Sequence, residues 1–200
     1  MFASCGDAES GPGGNSAPEP GSPGNPIPLE KDGVLDWPAT LAEIAAAGKY
    51  VTLDLSACTG VTEFDPGTAN TGEKYIISLV LPDGATGIKE GDPDNPTFKN
   101  FMEHKSITGA GVTNVGDVAF RNCAALTTAS FPKATYIGVS AFAGCVALTT
   151  VSFPKASSIG AYTFYDCRAL TTVNLPAATT LWIYNFWNCA ALTTVNPPAA

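Results

Sequence analysis

The second half of the chain repeats a unit of 22 residues, and few architectures are compatible with such a repeat. Cysteine occurs once per unit, with phenylalanine before it and leucine after it at the same interval. The equivalent positions are Cys123, Cys145, Cys167 and Cys189; Phe120, Phe142, Phe164 and Phe186; and Leu126, Leu148, Leu170 and Leu192. A fixed period of about 20–50 residues is typical of solenoids, propellers and arrays. The sequence therefore predicts stacked coils that bury one another's apolar faces.

Each unit contains the pattern of one short strand followed by a turn. In the copy that begins at Cys145, Leu148, Val151 and Phe153 are expected to point inward, and Val151 and Phe153 alternate as a strand requires. Pro154 ends the strand because it cannot donate to the ladder. We expect parallel strands near 128–131, 150–153 and 172–175, stacked in register about 4.8 Å apart.

The cysteines of the repeat are predicted to be structural. One cysteine above another in successive coils places them all in the interior, where cysteine behaves as a small apolar residue. Zinc sites need a tetrahedral cluster at short spacings, which a period of 22 residues does not supply. We expect Cys123, Cys145 and Cys167 to be buried, without disulfides, and we expect no metal or cofactor.

The repeated phrases resemble the BspA-type bacterial leucine-rich repeats. They read AFRNCAALTTASFP, AFAGCVALTTVSFP, TFYDCRALTTVNLP and NFWNCAALTTVNPP, and the resemblance covers about residues 98–200. It implies an α/β-type repeat solenoid of the leucine-rich-repeat fold. It also implies a surface or secreted protein of host-associated bacteria that binds host matrix proteins or cells, most similar to surface lipoproteins of the Treponema type. The last copy departs at Trp182 and Pro197, so we expect an irregular final strand.

Residues 1–32 are predicted to be a disordered tether. The segment is rich in Gly, Pro, Ser and acidic residues and has little apolar surface to bury. Phe2-Ala3-Ser4-Cys5 resembles the end of a bacterial lipoprotein signal, in which the cysteine is lipidated, although only four residues precede Cys5. The alternative is an ordinary cysteine in a flexible tail. The resemblance implies a lipid anchor on the outer membrane and an extracellular location.

Residues 33–97 are predicted to form an N-terminal cap that contains a degenerate repeat. A helix should begin after Asp36 as its N-cap, carry Pro38 in its first turn and stop at Gly48. Strands are expected in YVTLDLSAC and YIISLVLPDG, which alternate apolar and polar residues. Residues 98–200 then form the regular repeats.

Charge and composition exclude several functions. The net charge is −8, and no cluster of Lys and Arg is present to neutralise a phosphate backbone, so we expect no nucleic-acid partner. No apolar run is long enough to span a bilayer. His104 is the only histidine and has no nucleophile at a suitable spacing, and EGDPDNP lacks the glycine and distant glutamate of a calcium loop. The chain is therefore predicted not to be an enzyme.

The outward strand positions are the candidate binding surface. They form a ribbon of hydroxyls and amides with few charges: Thr128, Ser130, Thr150, Ser152, Thr172 and Asn174. Such a ribbon suits an extracellular protein or glycan ligand, although threonine also simply favours exposed strands. The predicted function is an adhesion or protein-interaction module. The alternatives are a display scaffold or accessory for an enzymatic domain outside this chain, and a spacer without a ligand.

One further series becomes aromatic toward the C-terminus. Arg121, Ala143, Tyr165 and Trp187 occupy equivalent positions, and Trp182 and Tyr184 lie nearby in the last copy. These aromatic residues either cap the last coil or form an exposed patch, and capping is slightly favoured.

Overall fold

The computed structural model describes residues 18–67, 72–99, 101 and 105–196. Over these residues the chain forms a solenoid whose coils contribute strands to two parallel β-sheets. The strands of the first sheet, in spatial order, are β1 (Ile27–Val34), β2 (Val51–Thr59), β4 (Ile76–Val80), β6 (Ser106–Thr108), β8 (Thr128–Ser130), β10 (Thr150–Ser152), β12 (Thr172–Asn174) and β14 (Thr194–Asn196). The strands of the second are β3 (Glu63–Phe64), β5 (Gly87–Ile88), β7 (Asn114–Val115), β9 (Tyr136–Ile137), β11 (Ser158–Ile159) and β13 (Thr180–Leu181). The predicted fold class is confirmed.

The strands of the repeat stack in register, as the 22-residue period predicts. Thr128 pairs with Thr150, and Thr150 with Thr172, so each residue lies beside its equivalent in the next coil. The three predicted strands are found at 128–130, 150–152 and 172–174. The alternation is also as expected, because Val151 and Val173 point inward while their neighbours face out.

The core consists of columns of identical side chains. Phe120, Phe142 and Phe164 are fully buried and stack with ring centroids 5.0 and 5.9 Å apart. Phe131 and Phe153 form a second stack at 5.9 Å. Near-parallel stacking follows directly from the repeat, since equivalent residues one coil apart have the same orientation.

The repeat requires glycine where the backbones of adjacent coils approach each other closely, and not because the chain bends there. Gly138 and Gly160 have no left-handed backbone. A Cβ on Gly138 would lie 2.6 Å from the amide nitrogen of Asp117, and one on Gly160 would lie 2.5 Å from that of Val139. Only glycine lets the backbones of adjacent coils come this close.

The N-terminal cap contains the predicted helix, α1 (Trp37–Ala47), and a short 3₁₀ helix, Glu73–Tyr75. Asp36 Oδ1 accepts a hydrogen bond from the amide of Ala39 at 3.0 Å, and Gly48 ends the helix in the left-handed conformation. Trp37 packs edge-on against Phe64 at 5.3 Å and donates its indole N–H to the carbonyl of Pro66. These contacts fix the helix to the first coils.

Strand β1 is a departure from the expected tether. It begins at Ile27, inside the range 1–32, and pairs with β2 in parallel from Ile27 to Glu30 before the register shifts. The segment forms a strand because half-buried residues (Ile27, Leu29 and Lys31) alternate with exposed ones. Residues 1–17, which include Cys5, lie outside the described residues.

The last coil keeps its strand but is more exposed. β14 pairs with β12 in register over three residues, so the expected irregular strand is not found up to Asn196, and Pro197 lies outside the described part. Trp182 occupies the place of Gly160, and its amide is 3.3 Å from the carbonyl of Ile159, whereas the Gly160 amide is 2.8 Å from that of Ile137. A side chain at this close approach therefore loosens the coil.

Candidate functional site

The first sheet presents two outward side chains per strand. Thr150, Ser152, Thr172 and Asn174 are exposed, and Thr128 and Ser130 are half-buried. The parallel register places each of them next to its equivalent: Thr128 beside Thr150, and Ser130 beside Ser152. All six predicted residues therefore lie on one face, which we call the strand face, in two columns that run along the solenoid.

The first column extends upstream beyond the residues predicted from the sequence. Ser106 pairs with Thr128, Ser78 with Ser106, and Thr52 with Ser78. The Ser78 and Ser106 hydroxyls are 2.6 Å apart and share a hydrogen bond. Ser106 lies at the regular interval before Thr128, so a strict alignment of the repeat reaches it. The coils before Ser106 are longer than the regular unit, so the fixed spacing does not reveal Ser78 or Thr52.

The hydroxyls beside this face fall into two groups. Thr127 and Thr149 donate to the carbonyls of Lys105 and Thr127 in the preceding coils, at 2.7 and 3.1 Å. In the part of the chain that the structure describes, the side chains of Thr150, Thr172 and Asn174 have no hydrogen-bond partner. The first group ties one coil to the next, and the second can bond to a ligand.

The strand face carries little charge. From β6 to β14 both outward positions are Ser, Thr or Asn in every strand. Acidic side chains enter only at the other end of the sheet, where Glu30 pairs with Asp54 across β1 and β2. The face is therefore suited to many neutral hydrogen bonds and not to the binding of an ionic polymer.

The cysteines form a buried column, as predicted. Cys145, Cys167 and Cys189 each donate the S–H to the carbonyl of the phenylalanine 25 residues earlier, at 3.1 Å. Burial raises the pKa of Cys123 to about 12 and that of Cys145 well above its ordinary value. Since the thiolate is the reactive form, this column is unreactive at neutral pH.

The other residues considered for chemistry are not assembled into a site. In the acidic turn, Asp92 Oδ1 accepts from the amide of Asp94 at 3.0 Å and shapes the turn itself. Among the described residues, no three His, Cys, Asp or Glu side chains are grouped so that they could hold a metal ion. His104 lies outside the described residues.

The aromatic residues of the last coil are exposed, which favours an exposed patch over a cap. Trp182 is 60% exposed and Trp187 58%. Tyr184 stacks on Tyr162 at 5.3 Å and meets Trp187 edge-on at 5.7 Å. The positions that were expected to cover the coil end instead form an aromatic patch on its turn side.

A protein-family model matches the sequence of the repeated coils. The family model of the BspA type leucine rich repeat region matches residues 74–200 in six copies. The chain belongs to this family. The match begins earlier than residue 98, because it includes the long coils that the sequence showed only as degenerate copies. BspA-type repeats form a non-catalytic fold, and no enzyme family matches.

A solved structure supports the fold. A leucine-rich repeat protein from Bacteroides ovatus is 16% identical, with a TM-score of 0.53 over 74% of this chain and 43% of that chain. A leucine rich cell surface protein from Faecalibacterium prausnitzii is 19% identical, with a TM-score of 0.49 over 75% of this chain and 52% of that one. The chain thus spans about half the length of the structures it matches. No curated protein matches it. None of the described helices is long and apolar enough to cross a membrane.

Proposed function

We propose that this BspA-type chain is a binding module that holds an extracellular protein or glycan on its strand face. The observation that carries the proposal is the pair of columns of outward hydroxyls and amides without partners in the described chain. Thr150, Thr172 and Asn174 are members of these columns. They repeat with the spacing of the strands, so a ligand that lies along the solenoid meets the same groups on each coil.

The energetics favour an extended ligand. One neutral hydrogen bond contributes about 0.5–1.5 kcal/mol, so a single threonine gives little affinity. The columns run through β8, β10, β12 and β14 without interruption, and their contributions can be combined over several coils. Repeat proteins commonly bind through such extended surfaces.

The cellular role that we propose is adhesion at the bacterial surface. The family resemblance supports host matrix proteins or host cells as ligands, and the Phe2–Cys5 motif supports a lipid on Cys5 that attaches the chain to the outer membrane. Metabolic labelling with a fatty acid tests the anchor: label should enter the wild-type chain and be lost in Cys5→Ala. Label that persists in that variant would refute lipidation at Cys5.

The binding proposal is tested with matched triple variants. Thr128, Thr150 and Thr172 are replaced with Glu in one variant, which places three like charges on the strand face. The control replaces Asn114, Ser158 and Thr180 with Glu, which share one column of the second sheet. Circular dichroism checks that both are folded.

Both variants and the wild-type chain are then applied to an array of matrix proteins and glycans. We expect the strand-face variant to lose binding and the control to keep it. If only the control loses binding, the strand face is a solvated sheet and the proposal is wrong. If the wild-type chain binds nothing on the array or on host cells, the scaffold role is favoured instead.

A further inference from the structure

A second candidate site, a concave one, lies on the turn side of the solenoid, away from the strand face. It is a groove of about 340 Å³, in the size range of small-ligand sites. Its lining comes from three successive coils: Arg121 and Asn122 from the first, Ser140, Ala143 and Gly144 from the second, and Tyr162, Tyr165 and Asp166 from the third. No residue of the strand face contributes.

The groove exists because the middle coil has small side chains. Arg121, Ala143 and Tyr165 are equivalent residues of consecutive coils, so Ala143 leaves a gap between two large neighbours. Ser140 and Gly144 widen the gap on the same coil. With coils about 4.8 Å apart, the two walls are separated by about 10 Å, centre to centre, which admits one ring-sized group.

One wall of the groove offers an uncompensated positive charge. Arg121 makes one long hydrogen bond, from Nη1 to the carbonyl of Pro93 at 3.4 Å, and no carboxylate of the described residues forms an ion pair with it. Asp166, on the opposite wall, is already engaged by Arg168 through two hydrogen bonds of 2.9 and 3.1 Å. The hydrogen bonds from Arg168 lower the pKa of Asp166, so it stays ionised and neutralised. With Asp166 paired to Arg168, Arg121 is the lining charge that has no ion-pair partner among the described residues, and it favours an anion.

The other wall is aromatic and is held in place. Tyr165 is 39% and Tyr162 36% exposed, and their rings meet edge-on at 6.1 Å. Tyr162 is supported from behind by Tyr184, stacked at 5.3 Å. Aromatic rings fixed by one another lose little conformational entropy on binding, and they present an apolar face with a polar edge.

We propose that this groove binds an acidic pyranose, a glycan residue that carries a carboxylate. The carboxylate pairs with the guanidinium of Arg121, whose fork of donors matches its geometry. The apolar C–H face of the sugar ring packs on Tyr162 and Tyr165. Asn122, Ser140 and the carboxylate of Asp166 lie within the lining and bond the sugar hydroxyls. An acidic sugar matches the cation, the aromatic rings and the polar groups of the lining at once, and a narrow slot selects it over a flat protein surface.

The test uses the full chain and defined oligosaccharides in calorimetric titration. The probes are tetrasaccharides containing glucuronic, galacturonic or sialic acid, each with its carboxyl-reduced neutral analogue. We expect at least one acidic probe to bind, and its neutral analogue to bind about tenfold more weakly or not at all. Arg121→Gln and Tyr165→Ala should each weaken binding of the acidic probe by about tenfold or more.

A matched control is Lys155→Gln, which removes an exposed cation that is not part of the groove. This variant should bind like the wild-type chain. The proposal is wrong if no acidic probe binds, if Arg121→Gln binds as well as wild type, or if Lys155→Gln loses binding equally. It is also wrong if a poly-glutamate peptide binds in an Arg121-dependent manner while every sugar fails, because the groove would then serve a protein partner.

Discussion

Removing one ring from the phenylalanine column should cost more in the middle of the solenoid than at its last coil. Phe142 is fully buried, and its ring contacts Phe120, Phe153 and Phe164 at 5.0, 5.6 and 5.9 Å. Phe186 is only partly buried, and among the described residues it stacks on Phe164 alone, at 5.7 Å. The two positions are equivalent in the repeat, so they differ only in the number of neighbours.

The magnitudes follow from these contacts. A buried Phe→Ala substitution costs about 3–5 kcal/mol, and each aromatic pair contributes about 0.5–1.5 kcal/mol beyond the buried area. We expect Phe142→Ala to lower the free energy of unfolding by about 4 kcal/mol. Phe186→Ala loses one pair and part of the burial, so we expect about 2 kcal/mol.

Urea unfolding followed by far-ultraviolet circular dichroism measures both losses. The midpoint should fall further for Phe142→Ala, while the denaturant dependence stays close to that of the wild-type chain. Equal losses would refute the reasoning, because they would mean that stability does not depend on neighbouring coils. A changed denaturant dependence would show that the coils unfold separately.

Three further predictions concern single positions. In urea unfolding, Leu148→Ala should lower the free energy of unfolding by about 2–5 kcal/mol. Thr150→Ala, an exposed substitution, should lower it by less than about 0.5 kcal/mol. Equal losses would mean that the inward and outward faces of the strand are misassigned. Gly138→Ala should lower the free energy of unfolding by about 3 kcal/mol because its Cβ would overlap the Asp117 backbone. Gly33→Ala should lower it by about 1 kcal/mol, because Gly33 has a φ of +74° but nothing within 4 Å of its Cβ. The reverse order in thermal unfolding would contradict the close approach at Gly138. Burial raises the pKa of Cys123 to about 12, so unfolding releases its proton above about pH 9 and stability should fall as pH rises. By about pH 10 the wild-type chain should lose about 1 kcal/mol more than Cys123→Ala, and identical pH profiles of the unfolding free energy would refute a buried thiol.

The periodic part of the fold was predictable because every coil has the same pattern of apolar residues. Cys145, Leu148 and Val151 recur in identical roles, and the register then follows from the period alone. The same logic failed upstream of Ser106, where longer coils hid Ser78 and Thr52. It failed at Ile27 too, since a strand of half-buried residues beside a Gly- and Pro-rich segment gives a weak signal.

The candidate site was only partly predictable. The sequence placed Thr150 on a polar ribbon, but it does not determine where a hydroxyl proton points. In the structure Thr149 donates to the carbonyl of Thr127, and Thr150 faces outward. The sequence also placed Arg121, Ala143 and Tyr165 in one series, but it does not show that Ser140, Gly144 and Tyr162 complete the groove around Ala143.

The unequal coils show where this protein tolerates insertion. The Ser78 and Ser106 hydroxyls are hydrogen-bonded although the two residues are 28 positions apart. Thr149, only 22 positions after Thr127, donates its hydroxyl to the Thr127 carbonyl. The strands therefore keep their register whether or not a coil carries an extra excursion between them. A foreign peptide grafted into the longest coil at the exposed residues 92–95 should be displayed at the surface without disturbing the strands on either side. Gene variants that differ in this segment can accordingly diverge in sequence and length while they share one scaffold.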